Sequence, residues 1–204
     1  MGIKAVVFDY GQVISLPQDP KVIDRLAEKA GVPREKFETP FWFLRREYDR
    51  GTVTVRAYYN EIFTSLGVTV KEKDIDEMIE MDHCSWKNVN PLTVALMEDV
   101  KKQGYVLGIL SNMPKDFLAW SRENLPVFSL PHFGLFSCEH NLIKPEPAIY
   151  RKLLSQIGLE SSELVFFDDN IDNITSARAI GINAFLWESP ERARQELKIL
   201  GVRL

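Results

Sequence analysis

Long apolar runs are missing from this chain. No stretch of its 204 residues approaches the roughly 20 that cross a bilayer, so a helical membrane span is excluded and no membrane partner is expected. Cysteine is scarce: Cys84 and Cys138 lie far apart, with no CxxC pair, and the histidines His83, His132 and His140 are equally scattered. That spacing excludes a disulfide framework and a zinc site, and both thiols read as reduced and structural. Charge of one sign is lacking too. With 25 basic against 29 acidic residues the net charge is −4, and no basic run offers a footprint for a phosphate backbone, so nucleic acid is not an expected partner. The chain enters an apolar strand within three residues of Met1, which predicts no secretory leader and a cytoplasmic location. Internal repeats and low-complexity tracts are absent as well. What is present is 45% hydrophobic residues, enough for a substantial interior.

Ile3 to Phe8 is almost wholly β-branched or aromatic, the signature of a strand buried on both faces, and it ends at Asp9-Tyr10-Gly11-Gln12. The character of the sequence changes after Ile14. Val22, Ile23, Leu26, Ala27 and Ala30 share a helical face that Gly31 ends. A second helix is expected from Pro33 to about Tyr48, a third from the N-cap Thr54 to Leu66, and a fourth through Ile75, Met78 and Ile79 to Ser85. Pro91 opens another helix, stopped by Gly104. Strands and helices then alternate: Tyr105–Leu110, a helix from Lys115 to Glu123, a short strand from Gly134 to Ser137, a helix after Pro147, Leu164–Phe167, a helix through Ala177, and Asn183–Trp187.

Such alternation predicts right-handed crossovers and an α/β fold, a Rossmann-like doubly wound parallel sheet. Residues 1–14 and 91–204 are expected to form this core, with residues 15–90 a small helical cap inserted after the first strand. That insertion point places the cap over the carboxyl ends of the strands, where open α/β sheets bind ligands.

The strand ends carry the chemistry. Asp9 follows the first strand, Ser111-Asn112 the second, and Asp168-Asp169 another, with Asp172 one turn further; Lys144 precedes a helix. Converging carboxylates repel one another and call for a cation. Few, hard oxygen donors suit Mg²⁺, which keeps water ligands and is commonly shared with a substrate phosphate. Lys144 and the ion would neutralise phosphoryl oxygens that Ser111 and backbone N–H groups hold. Asp169 and Asp172 have an alternative reading as ordinary helix N-terminal acids.

Four stretches in order, Val7-Phe8-Asp9-Tyr10-Gly11-Gln12-Val13, Leu110-Ser111-Asn112, Lys144-Pro145-Glu146-Pro147 and Phe167-Asp168-Asp169-Asn170-Ile171-Asp172-Asn173, together resemble the haloacid dehalogenase superfamily over nearly the whole chain. The resemblance implies an aspartyl-phosphate formed on Asp9, phosphoryl binding by Ser111, charge stabilisation by Lys144, and Mg²⁺ held by Asp9, the Gly11 backbone carbonyl and Asp168, with Asp169 and Asp172 as secondary candidates. Gly11, Gln12 and Asn112 join Ser111 and Lys144 in the implied phosphate-binding set. The insertion looks like that family's C1-type cap.

One position departs from the pattern. Most family phosphatases read Asp-x-Asp, the second Asp acting as general acid and then base, and here that residue is Gly11. Acid–base help worth roughly 10²–10⁴-fold must come from elsewhere or be missing. Three remedies are open: a good leaving group such as the anomeric oxygen of a sugar 1-phosphate or an acyl phosphate, a donor from the cap such as Glu47, Tyr48 or His83, or loss of hydrolysis. The expected function is a Mg²⁺-dependent phosphatase of a small phosphorylated metabolite, in a branch resembling sugar 1-phosphate phosphatases. The alternatives are a phosphoryl-binding or regulatory protein weakened in catalysis, and a 2-haloacid dehalogenase.

Overall fold

The computed structural model describes residues 2–204. Five strands, β1 (Ala5–Phe8), β2 (Val106–Ser111), β3 (Phe133–Phe136), β4 (Leu164–Asp168) and β5 (Asn183–Leu186), form one all-parallel sheet in the order β3-β2-β1-β4-β5. The register pairs Phe8 with both Ile109 and Phe167, so the residues that follow β1, β2 and β4 emerge side by side at one edge. Gly108 has a steric reason to lack a side chain, because a Cβ there would fall 2.2 Å from the Phe133 ring of the neighbouring strand.

The two-residue alternation of a strand assigns the faces. Val6 and Phe8 look toward α6 (Pro91–Lys102), α7 (Lys115–Asn124) and α11 (Pro190–Ile199), packing with Leu96, Met97, Phe117, Leu118 and Leu197. Ala5 and Val7 look the other way, toward α9 (Pro147–Ile157) and α10 (Ile171–Ala179), with Ile149, Tyr150, Leu153 and Ile174. All four β1 side chains are completely buried, which is why the strand reads as an unbroken apolar run.

Between β1 and α6 run α1 (Val22–Ala30), α2 (Arg34–Phe43), α3 (Arg45–Arg50), α4 (Val55–Leu66) and α5 (Glu72–Ser85). Their buried residues, from Val22 through Phe41 and Tyr59 to Met78, make a hydrophobic cluster separate from the two that cover the sheet. The two connecting segments lie against each other: Leu16 N donates to Asn88 O at 2.7 Å and Asn90 N to Ile14 O at 2.8 Å. Thr54 caps α4 by accepting from Ala57 N at 3.2 Å.

Three local features differ from the sequence reading. The helix expected over Pro33–Tyr48 is two helices meeting at Leu44, whose φ of −81° and ψ of −11° tighten the winding four residues after Pro40, a residue with no N–H to donate. The chain after Trp187 forms α11, for which the sequence reading assigns no element. The signals were there in Ser189, which accepts from Arg192 N at 3.1 Å, and in Pro190 at the first helical position. A short α8 (Ser137–His140) follows β3 directly.

Candidate active site

At the end of β1 the backbone turns sharply. Asp9 N donates to Phe167 O at 2.9 Å, tying the residue to β4, and the Asp9 carboxylate accepts from Tyr10 N at 2.7 Å. Gln12 takes a positive φ of 57°, unusual for a residue with a side chain, and its N–H donates to Ser15 Oγ at 3.0 Å. This turn presents Asp9 at the crevice while leaving it only 8% exposed.

Lys144 stands at the centre. Fully enclosed, its Nζ donates to Asp168 Oδ2 at 2.6 Å and Leu110 O at 3.1 Å and forms an ion pair with Asp9 Oδ1 at 2.9 Å. Burial alone would lower the ammonium, but the charges of Asp168 and Asp9 outweigh it and hold Lys144 above its ordinary pKa. Asn112 fixes the segment that carries it: the Asn112 side chain accepts from Lys144 N at 2.8 Å and donates to Lys144 O at 3.0 Å. Ser111, at the end of β2, is buried beside them.

Asp168 has no solvent exposure. Its Oδ1 accepts from Asn170 N at 2.8 Å and Asn173 Nδ2 at 2.9 Å; its Oδ2 accepts from Lys144 and, at 3.0 Å, from Asn173 again. Asp169 accepts from Gln12 Nε2 at 2.6 Å. Asp9, Asp168 and Asp169 each offer an oxygen within 4.8 Å of the others. Burial pushes Asp9 up to about 7, Lys144 opposing and Asp168 and Asp169 adding to the rise. With all three carboxylates ionised, the one ammonium leaves two negative charges, so the donor set and its charge fit a divalent cation with oxygen ligands.

Of the residues singled out in the sequence, Asp9, Lys144, Asp168 and Asp169 gather at this point, with Ser111, Asn112 and Gly11 alongside. Gln12 comes to the cluster as a partner of Asp169. Asp172 does not: it is exposed on the first turn of α10, its N–H donating to the Asn170 cap at 2.8 Å, and Asn173 is the residue of that helix that turns inward. Helix phase decides this. With α10 starting at Ile171, position 173 faces Asp168 and position 172 faces solvent.

A cavity of about 150 Å³ adjoins the cluster, walled on the core side by Gly11, Ser111 and Asn112 and on the other by Trp42, Arg45, Asp49 and Trp86. Tyr48 and His83 do not line it. Both are committed to Asp116 of α7, at 2.6 Å and 2.7 Å. Glu47 is half-exposed and turned to Arg50 and Thr52.

A family model described as haloacid dehalogenase-like hydrolase matches residues 3–181. The chain belongs to that family. Among relatives of this haloacid dehalogenase-like hydrolase, phosphatase MT3486 of Mycobacterium tuberculosis (strain CDC 1551 / Oshkosh) is 25% identical over 215 aligned residues, covering 100% of the chain and 98% of the relative. Bifunctional epoxide hydrolase 2 of Sus scrofa is 29% identical over 228 aligned residues; the alignment covers the whole chain and only 40% of that relative's length. In structure, the hydrolase is similar to a HAD family enzyme, BT-2542 of Bacteroides thetaiotaomicron, solved in complex with magnesium and inorganic phosphate. That likeness has a TM-score of 0.78 at 22% identity and covers 92% of this chain and 95% of that one. Among the described residues, no helix of the hydrolase is long and apolar enough to cross a membrane.

Proposed function

We propose that this hydrolase is a Mg²⁺-dependent phosphatase of a small phosphorylated metabolite, a sugar 1-phosphate above all, with Asp9 as nucleophile. The observation that carries the reading is the single ammonium of Lys144 set between Asp9 and Asp168, with Asp169 completing a carboxylate cluster of net charge suited to a divalent ion. The hydrogen bond from Tyr10 N and the ion pair with Lys144 both fall on Oδ1 of Asp9, which leaves Oδ2 to attack phosphorus.

Asp9, Asp168, Asp169 and the Gly11 carbonyl would hold the ion, and its chemistry is to neutralise phosphoryl oxygens and keep Asp9 ionised. The chain supplies the rest. Lys144 shares a phosphoryl charge, the Ser111 hydroxyl donates to a phosphoryl oxygen, and Asn112 keeps Lys144 in register. Asn173 and the Asn170 N–H orient Asp168, so this acid is held rigidly before any substrate arrives. Residues 15–90 act as the cap that closes the chamber for the leaving part of the substrate. Trp42 and Trp86 offer apolar walls and Arg45 and Asp49 polar groups, a combination that suits a small hydroxylated ring better than a long chain.

Turnover of a panel of hexose 1-phosphates, hexose 6-phosphates, glycerol phosphates and acyl phosphates in the presence of Mg²⁺, with Asp9→Asn as control, tests this. Release of phosphate by the wild type and not by the variant is expected. Mg²⁺-dependent binding of a phosphate mimic with no hydrolysis of any member would instead favour a phosphoryl-binding protein, the reading that Gly11 motivates. A 2-haloacid dehalogenase would show halide release that survives EDTA.

A further inference from the structure

We propose that Asp49, carried on cap helix α3, transfers the proton to and from the reacting oxygen in place of the carboxylate that Gly11 lacks. This rests on the phosphatase reading above.

Neither conformation nor packing demands glycine at position 11. Its φ of −61° and ψ of 127° suit any residue, and a Cβ built there meets nothing nearer than Trp86 Cζ3 at 3.8 Å. The missing acid is therefore a chemical difference, and the crevice has to find its proton donor elsewhere. Among the described residues, Asp49 is the one carboxylate that lines the cavity with Gly11, Ser111 and Asn112. The other cap candidates do not line it: Tyr48 and His83 turn to Asp116, Glu47 to Arg50 and Thr52, and Asp82 to Arg45 and Gln18.

Asp49 is fastened to the core beside the reacting loops. Ser137 Oγ donates to Asp49 O and accepts from Met113 N at 2.8 Å, joining the cap backbone to the loop that follows Ser111. Gly51, at φ +84°, lets the end of α3 lie against α8 so closely that a Cβ would sit 2.7 Å from Cys138 Cα. Arg50, between them, reaches Glu146, two residues past Lys144, at 2.7 Å and 2.9 Å. Three successive residues thus hold this carboxylate over the crevice.

The surroundings of Asp49 equip it to exchange a proton near neutrality. Arg45 Nε donates to Asp49 Oδ1 at 2.9 Å and so orients the carboxyl. Burial raises Asp49 to about 6, with Asp82 of α5 and Asp116 of α7 adding to the rise and Arg45 of α3 opposing it. In the first half-reaction Asp9 Oδ2 bonds to phosphorus, the ester P–O bond breaks, and the Asp49 proton passes to the departing oxygen as an alcohol leaves. In the second, the Asp49 carboxylate takes a proton from water as the water oxygen bonds to phosphorus. The Asp9–phosphorus bond breaks, releasing phosphate and a protonated Asp49.

Asp49→Asn keeps the shape and an oxygen for Arg45 and removes the proton. The full chain with Mg²⁺ is assayed on acetyl phosphate, whose acetate departs unaided, and on propyl phosphate, whose alkoxide does not. The variant is expected to lower the ratio of kcat/KM for propyl over acetyl phosphate by roughly 10²-fold. Adding Gly11→Asp to it is expected to restore the ratio at least tenfold. An equal fall on both substrates, or no recovery in the double variant, overturns the proposal. Should Asp49→Asn fail to fold, a leaving-group series on the wild type decides. A shallow dependence on leaving-group pKa supports proton donation, and a slope as steep as that of the uncatalysed reaction overturns it. Wild type inert on both substrates and indistinguishable from Asp9→Asn would overturn the phosphatase reading instead.

Discussion

Arg50 of α3 grips Glu146 with both arms of its guanidinium, Nη2 2.7 Å from Oε1 and Nη1 2.9 Å from Oε2. Arg46 adds a contact to the same carboxylate at 2.9 Å. This is a planar, two-point clamp of the kind that fixes geometry as well as charge, and it joins α3 to the segment that carries Lys144.

The clamp has a pH signature. The Arg50 and Arg46 hydrogen bonds hold Glu146 down at about 2, below the ordinary carboxylate range. A depressed folded-state pKa contributes stability that is present above the unfolded pKa near 4.5 and fades as pH falls through about 2. The carboxylate is 34% exposed, so solvent screening keeps the effect to roughly 1 kcal/mol. Glu146→Gln is expected to lower the melting temperature at pH 7 by a few degrees and to have a smaller effect at pH 2.5. A difference that stays constant with pH would show that the charge is not what matters.

Lys144→Met tests the centre of the cluster. It leaves Asp9 and Asp168 buried without their shared cation, an arrangement that costs roughly 3–5 kcal/mol. Expected are a large drop in melting temperature, a loss of turnover, and partial thermal recovery in Mg²⁺, because a divalent ion takes over some of the neutralisation. Thermal denaturation of wild type and variant with and without the ion is the measurement. A Lys144→Met variant as stable as wild type without Mg²⁺ would mean the carboxylates are protonated and the ammonium is dispensable.

Asp9, Ser111, Lys144 and Asp168 were legible because each abrupt polar residue ends an apolar run or opens a helix, and a parallel sheet sends all such ends to one edge. Asp172 was misplaced, since a one-residue uncertainty in where α10 begins rotates the inward position to Asn173. Asp49 was illegible for a different reason. It sits in Arg45-Arg46-Glu47-Tyr48-Asp49-Arg50, where every residue is polar or aromatic, so no periodicity marks the inward face. The cavity lining reveals which carboxylate overlooks the crevice, and the approach of Gly51 to Cys138 and the bond from Ser137 fix the backbone that carries it.

A divalent ion bound at the carboxylate cluster would link stability to its concentration. At an ion concentration a hundred times its dissociation constant, wild type should gain roughly 2.7 kcal/mol, about 5–10 °C in melting temperature for a chain of this size. Asp168→Asn should abolish most of that shift, since it removes one of three clustered carboxylates. Differential scanning fluorimetry with Mg²⁺ and then EDTA gives both numbers. An undiminished shift in Asp168→Asn would place the ion elsewhere.

Gln12 offers a test of strain against function. At φ 57° a side chain costs roughly 1–2 kcal/mol, while the same side chain donates to Asp169 Oδ2 at 2.6 Å. Gln12→Gly removes the strain, adds roughly 0.5–1 kcal/mol of unfolded-state entropy and loses a hydrogen bond worth roughly 0.5–1.5 kcal/mol, so thermal stability should change by less than about 1.5 kcal/mol in either direction. Activity should not be neutral. With Asp169 released from Gln12, the half-saturating Mg²⁺ concentration is expected to rise several-fold while kcat at saturating Mg²⁺ changes little. If half-saturation stays at the wild-type value, Asp169 does not need Gln12 to meet the ion, and the strained turn serves only to aim the backbone past Asp9.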